Sequence, residues 1–420
     1  MKWSFPARLA CVCLLALMYC PCQVTADEHH YRNMFIGGRA GGLAGAYTAL
    51  SDDTAGCYYN PAGIAMAPSM SISASANTYQ RSLKVYKNTL TGTDGKQFDW
   101  QQTSSSLLPN FFGVVKKAGP GWLGISYAVP DSTRRRQDQV FTNITSSLGA
   151  NYVGQYVINI DDTDNTYLFG PSYALRFGQN VSLGTTVYVH YRHKQVIRNQ
   201  LLQFNEGEHL WVNYYDNQED WGIRPILGLI WEPVQPIALG LTVSQTHVFA
   251  KERREQTILR DTTSSVFADT NRVDLVTSDY HQGMDAPVQT TFGMAWFVSP
   301  RLLFSTDIAY NAPIEDKETV WNLSVGAEYY IWDNLALRIG IYTDRANTPD
   351  LNPNLTNQPE HIDIYGMNGG ISLYHGHSSV TLGFSYGYGS GQAQVIADST
   401  VIQDATIQNG ALFLAASYGF

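Results

Sequence analysis

Beyond residue 26 this 420-residue chain has one cysteine, Cys57. A lone thiol forms no disulfide within the chain and supports no cysteine-based metal cluster. Charge is also scarce. Asp, Glu, Lys and Arg make up 15% of residues, against about 25% in ordinary soluble domains. No apolar run after residue 26 reaches the ~18 residues of a spanning helix, so any membrane crossing falls to strands. The formal net charge of -9 repels phosphate backbones, which argues against a nucleic-acid partner. In place of charge stand 26 Tyr, 36 Gly and many uncharged polar residues, with 44% hydrophobic residues. That mixture suits a sheet with one apolar and one polar face.

Residues 1–26 read as an export signal. Lys2 and Arg8 form the basic end, Leu9 to Tyr19 the apolar core, and Val24-Thr25-Ala26 the small-residue cleavage site. Cleavage before Asp27 removes Lys2 and Arg8 and takes the net charge from -9 to -11. Cys11, Cys13, Cys20 and Cys22 leave with it. Tyr19 and Pro21 precede Cys20 and Cys22 where a lipidated cysteine needs a small residue, which argues against a lipid anchor.

The rest alternates with period two. Trp321, Leu323, Val325 and Ala327 oppose Asn322, Ser324, Gly326 and Glu328; Val380, Leu382 and Phe384 oppose Thr381, Gly383 and Ser385. Fourteen such segments are predicted: 69–79, 106–117, 121–129, 166–178, 180–192, 219–231, 236–249, 286–298, 301–310, 320–332, 335–345, 364–374, 378–389 and 411–420. Their length exceeds that of a globular strand and matches the 9–11 residues of a tilted membrane-crossing strand. Tight turns alternate with longer loops at 130–165, 193–218, 250–285 and 390–410. Short turns at one rim and long loops at the other mark an outer-membrane barrel. The chain ends in ALFLAASYGF, one apolar face closing on Phe420. This is the kind of closing strand that the barrel-assembly machinery recognises.

Ahead of these strands, 34–68 is rich in small and apolar residues. Leu43 to Leu50 is predicted as a short helix, Asp52 and Asp53 as caps of a following turn, and Pro61 as a stop. The composition predicts a compact plug against inward-facing wall residues such as Gly366 and Gly370. The organisation expected is a signal peptide at 1–26, a hatch at 27–68 and a barrel at 69–420.

The stretch GGLAGAYTALSDDTAGCYYNPAGIA resembles the signature of the FadL/OmpP1/TodX family of outer-membrane transporters of hydrophobic compounds. Asn60-Pro61-Ala62 matches the NPA motif of the family's hatch. VWNLSVGAEYYIWDNLALRIGIYTDRANTPD is similar to its late hairpin, with Arg338 and Gly340 in the Arg-x-Gly pattern. The resemblance implies a monomeric, all-β, fourteen-stranded transmembrane barrel with an N-terminal hatch and no cofactor. It implies passage of a hydrophobic small molecule or fatty acid by gated passive diffusion, with sideways exit at a kinked strand. Outer-membrane lipid and lipopolysaccharide would surround it. Phe204, Leu210, Trp211, Val248 and Phe249 are candidate ligand contacts near the rim, and aromatic-belt packing accounts for them equally well. The Arg134-Arg135-Arg136 run is read as part of a loop, facing a carboxylate, solvent or lipopolysaccharide. The alternative to transport is a secretion accessory or structural barrel. No catalytic site is expected: none of the ten His lies in a nucleophile motif. No metal site is expected either, because His375 and His377 at one turn supply only two ligands.

Overall fold

The computed structural model describes residues 29–145, 152–205, 207–261, 270–280, 284–314, 317–396 and 400–420. The export signal predicted at 1–26 lies outside them. The described strands are β1 (Met70–Thr91), β2 (Gln97–Ala118), β3 (Gly121–Ile144), β4 (Val153–Phe177), β5 (Val181–Phe204), β6 (His209–Val234), β7 (Ile237–Ser244), β8 (His247–Asp261) and β9 (Thr270–Tyr280). They continue with β10 (Met284–Asp285), β11 (Gln289–Ser299), β12 (Leu302–Asn311), β13 (Val320–Trp332), β14 (Leu335–Asp344), β15 (His361–His375), β16 (Ser378–Ala393) and β17 (Gln403–Gly419).

These seventeen segments form one antiparallel sheet. β7 and β8 pair successively along β6 and make one stave. β9, β10 and β11 pair along β8 and β7 and make another. The wall therefore has fourteen staves, one for each predicted segment. It closes where Ser71 to Tyr86 of β1 pair with β17. Phe420 N–H donates to Met70 O at 2.8 Å, and the Tyr418 and Phe420 rings meet edge-on at 4.5 Å. Closure leaves neither terminal strand with an open edge in lipid.

The alternation predicted from sequence sets inside and outside. On β13 Asn322, Ser324 and Glu328 are buried in the lumen while Trp321, Leu323 and Tyr329 are exposed outside. Around the membrane-spanning part the outer surface is apolar, with Leu183, Val187, Ile339, Ile341, Leu382 and Leu414 exposed. A row of rings, Tyr127, Tyr167, Tyr191 and Trp221, crosses four staves with centroids 6.4, 6.1 and 4.6 Å apart. An apolar band with aromatic margins is the surface of an outer-membrane barrel, and the protein is a multi-pass outer-membrane barrel. An Ile339→Arg substitution should cost about 2–4 kcal/mol in lipid vesicles, read by urea unfolding. No loss there would mean that this face does not meet lipid.

The staves are much longer than expected at the loop end. β3 to β6 run 24 to 26 residues, more than twice what a membrane needs. The predicted loops 130–165, 193–218 and 250–285 are largely strand. Arg134, Arg135 and Arg136 lie on β3, opposite Thr163, Asp162 and Asp161 of β4 in the register pairing. Arg134 donates to Asp161 from Nε (3.1 Å) and Nη2 (2.9 Å), and Arg135 lies 3.9 Å from Asp162. Alternating polar residues read as loop in sequence, yet cross-strand charge pairs hold them in a ladder above the membrane.

Candidate functional site

Residues 29–68 fill the lumen and pack against strands all round it. The plug carries a helix at Gly38–Gly42, a helical turn at Gly56–Tyr59 and a 3₁₀ turn at Pro61–Met66. The helix predicted at 43–50 does not form. Ala44 and Gly45 have φ of 54° and 78°, left-handed values that no right-handed helix contains. Asp53 Oδ1 accepts from Ala55 N–H at 2.8 Å, but no side chain caps Gly56–Tyr59. Asp52 instead accepts from Arg39 Nη1 at 2.6 Å.

Asn60 is fully buried and extended, with φ of -151°, as the residue before proline should be. Its Oδ1 accepts from Ala62 N–H (3.1 Å). Its Nδ2 donates to Thr48 O inside the plug (2.8 Å) and to Leu229 O of the wall (3.1 Å). Pro61 opens the 3₁₀ turn, and Ala62 is fully buried. Missing side chains on the wall make room for this segment. A Cβ on Gly228 would lie 2.0 Å from Asn60 Oδ1, and one on Gly184 2.3 Å from the Pro61 carbonyl carbon. Gly240, Gly293 and Gly340 approach Thr48, Ala49 and Leu43 in the same way. Gly370 faces Gly42, whereas Gly366 faces the Tyr342 ring and not the plug.

Polar wall residues hold plug backbone, among them Asp307, Ser305 and Asn368. Asp307 Oδ2 accepts from the N–H groups of Tyr47 (3.0 Å) and Thr48 (2.9 Å) and from the Thr48 hydroxyl (2.6 Å). Ser305 donates to Ala46 O and Asn368 Nδ2 to Gly41 O. Glu328, 1% exposed, sits between two guanidinium groups. Arg39 of the plug donates to both its carboxylate oxygens at 2.8 Å, and Arg338 Nε donates to Oε2 at 2.5 Å. Sequence reasoning placed Glu328 and Arg338 inside the barrel but did not pair them with Arg39. Their signal was charge on the inward face of otherwise apolar strands.

Above the plug, residues 29–36 run up the lumen as a strap. His29 O accepts from Asn347 N–H (2.9 Å), His30 Nε2 lies 2.7 Å from Ile362 O, and Phe35 O accepts from Asn110 Nδ2 (2.8 Å). Glu360 pairs with Lys84, accepts from Tyr86 OH (2.8 Å) and lies 4.0 Å from His29. Burial alone would raise the Glu360 carboxyl, but Lys84, His29 and these hydrogen bonds outweigh it and bring it from 4.5 down to about 2. Because its folded value is the lower one, the stability it contributes is complete above about pH 4.5 and is lost as pH falls toward 2. A fluorophore on an Asn33→Cys variant should therefore keep constant anisotropy above that range and loosen below it. Adding Glu360→Gln should loosen it at every pH. Equal, flat profiles for both proteins would rule out the clamp.

At the outer end, Phe204 belongs to a buried apolar cluster with Tyr86, Trp100, Phe141, Ile158 and Ile362, and Leu210 packs against it. Trp211 is half-buried, donates to Asn199 at 2.6 Å and lies under Arg260. Val248 borders an inner cavity. Phe249 is 47% exposed on the outer face, apart from the others.

One stretch of wall lacks its ladder. β2 and β3 pair from Phe111↔Ala128 down to Ala118↔Gly121, and again at Ser104↔Arg135 and Thr103↔Arg136. Between them, 105–110 and 129–134 form no backbone pair with each other, although β2 still pairs with β1 and β3 with β4. The break holds Pro109 and Pro130, neither of which has a ladder donor. It begins eight residues above the short turn on both strands. At ~3.3 Å per residue and a tilt of ~40°, it lies roughly 20–33 Å above that rim. An apolar band is about 25 Å tall, so the break faces the outer leaflet and its headgroups. Asp131 and Pro130 on its lip border a cavity whose other side is the strap.

The arrangement defines a class: a plugged outer-membrane barrel with a break in its wall. No family model matches the chain, and no curated protein matches it. Among solved structures it is similar to a FadL homologue from Pseudomonas aeruginosa at 13% identity, covering 93% of this chain and 100% of that one with a TM-score of 0.66. It is similar to the toluene transporter TodX of P. putida at 13% identity, covering 94% and 99% with a TM-score of 0.64. It is also similar to the monoaromatic hydrocarbon channel CymD at 14%, covering 93% and 99% with a TM-score of 0.59. At such identity the likeness is one of fold.

Proposed function

We propose that this barrel moves hydrophobic small molecules, long-chain fatty acids among them, across the outer membrane by gated passive diffusion. The break between β2 and β3 carries the reading. A continuous ladder is the cheapest wall in lipid, because unpaired backbone groups there cost several kcal/mol each. An open stretch is sustained where it lines a passage. The apolar cluster around Phe204 and Leu210 offers a first resting place, since each buried CH₂ gains about 0.8 kcal/mol. Asn60, Pro61 and Ala62 anchor the hatch that bars a straight path for water. Exit is then sideways, into the membrane. The known channels with this fold include a toluene transporter and a monoaromatic hydrocarbon channel, which supports the same substrate class.

The test bridges the break. Cysteines placed at Leu107 and Ser132 are joined by a bifunctional maleimide in a Cys57→Ser background. Uptake of an apolar fluorescent probe into vesicles should fall to the protein-free rate. Bridging the paired positions Val114 and Ile125 should leave uptake unchanged. Undiminished uptake across a bridged break would overturn lateral exit, and no uptake by the unbridged barrel would favour a secretion or structural role.

A further inference from the structure

The strap and the break lie face to face. His30, Tyr31 and Asn33 share one cavity, of about 170 Å³, with Pro130 and Asp131 on the β3 lip. Asn33 and Phe35 share a second, of about 110 Å³, with Ser104 of β2 and Thr133 of β3. The strap therefore stands between the lumen and the break. Its upper part is tied to other walls: His29 O accepts from Asn347 N–H, His30 Nε2 meets Ile362 O of β15, and Arg32 donates to Ser324 Oγ of β13.

The tie to the break itself is made lower down. Asn110 is the lowest residue of the break on β2. It is also skipped in the pairing with β1, where Ser75 faces Phe111 and Ala76 faces Pro109. Such a bulge re-aims a side chain, and here Asn110 and Phe111 are both buried although they are neighbours on a strand. The Asn110 amide is used at both ends. Nδ2 donates to Phe35 O at 2.8 Å, and Oδ1 accepts from the Ser75 hydroxyl at 2.8 Å. Ser75 Oγ in turn accepts from Gly37 N–H at 3.3 Å. Gly37 has φ of 79° and ψ of 153°, a backbone that glycine alone adopts readily, and there the strap turns into the plug helix.

We infer that Asn110 is a positioning residue for transport: its amide clasps the strap to the edge of the break and sets how often the passage is clear. The inference rests on the transport reading and adds the control of its exit. Losing the Asn110 donor penalises the docked strap alone, because Phe35 O regains hydrogen bonds from water once it swings free.

Nitroxides on Asn33→Cys in the strap and Leu107→Cys in the break, in a Cys57→Ser background, report the distance between strap and wall by double electron–electron resonance. Asn110→Leu should lengthen and broaden that distance. Nitroxides at the paired wall positions Val114 and Ile125 should keep theirs. Uptake of N-phenyl-1-naphthylamine into vesicles should rise about two- to tenfold, the population shift that one buried hydrogen bond supports. Asn110→Asp keeps the shape, sets an acceptor against Phe35 O and should reproduce both effects. Ser75→Ala should act in the same direction. Heat-modified gel mobility confirms that each variant folds. Parental distances in both Asn110 variants, or a strap that moves while uptake stays level or falls, overturns the clasp. If the parent's uptake is still abolished by bridging Leu107 to Ser132, either result leaves transport standing. A parent that takes up no probe sinks the transport reading, and with it the control of exit assigned to Asn110.

Discussion

Deleting residues 34–68 should turn an electrically tight barrel into an open pore, with conductance across planar bilayers rising by at least about an order of magnitude. Barrels of eight strands are filled by their own side chains, and those of sixteen to eighteen leave an aqueous channel. Fourteen staves approach the second case, and here the space is taken by the plug. Ile36, Leu43, Tyr47 and Ile64 are fully buried within it. Its removal uncovers wall that is already polar: Asp307, Ser305, Asn322, Glu328, Arg338 and Asn368 all face inward. The wall ladder does not pass through the plug, so the truncated barrel should still insert and show heat-modified mobility on gels. A truncated, folded barrel as tight as the intact protein would show that this segment is not what closes the lumen.

Replacing Glu328 by Gln should loosen the plug without opening the wall. The substitution leaves Arg39 and Arg338 across a neutral amide. Removing one member of a buried ionic group costs about 3–5 kcal/mol, because the remaining charge is buried without compensation. The loss falls unequally. Arg338 still donates to Ser372 and to Tyr374 OH (2.6 Å), both on the wall. Arg39 retains Asp52 and the Tyr47 ring, both of which belong to the plug itself. The tie between plug and wall is the part that breaks. Single-channel recordings should show frequent openings that the parent lacks, and thermal unfolding should begin at a lower temperature. Adding Arg39→Met removes the stranded cation and should recover part of the stability, a non-additivity expected of groups in contact. Parent-like recordings and unfolding for Glu328→Gln would dismiss the latch.

The fourteen staves were legible because period-two alternation is a local property. Trp321 and Asn322 take opposite faces whatever the rest of the chain does. The extracellular halves of β3 to β6 were not legible as strand. There both faces are wet, so Arg134 and Asp161 carry no apolar alternation, and only their pairing across strands reveals the ladder. The break was not foreseen: the predicted strand 106–117 runs through Pro109, and 121–129 stops before Pro130. Whether a proline ends a strand or opens a gap between two continuing ones depends on the neighbouring strands. The helix expected at 43–50 failed because Ala44 and Gly45 turn left-handed so that the plug can meet Asp307.

By itself the sequence determined which side chains face lipid, where the short turns fall, how the last strand closes on Phe420 and that a compact apolar segment precedes the wall. Each follows from spacing along the chain. Tertiary structure alone decided that Gly184, Gly228 and Gly340 are clearances for the plug, that Arg39 meets Glu328 across 289 residues, and that Asn110 meets the strap at the foot of an open ladder. Those relations join residues whose proximity is set by barrel closure and stagger, and no local pattern encodes a distance around a closed sheet.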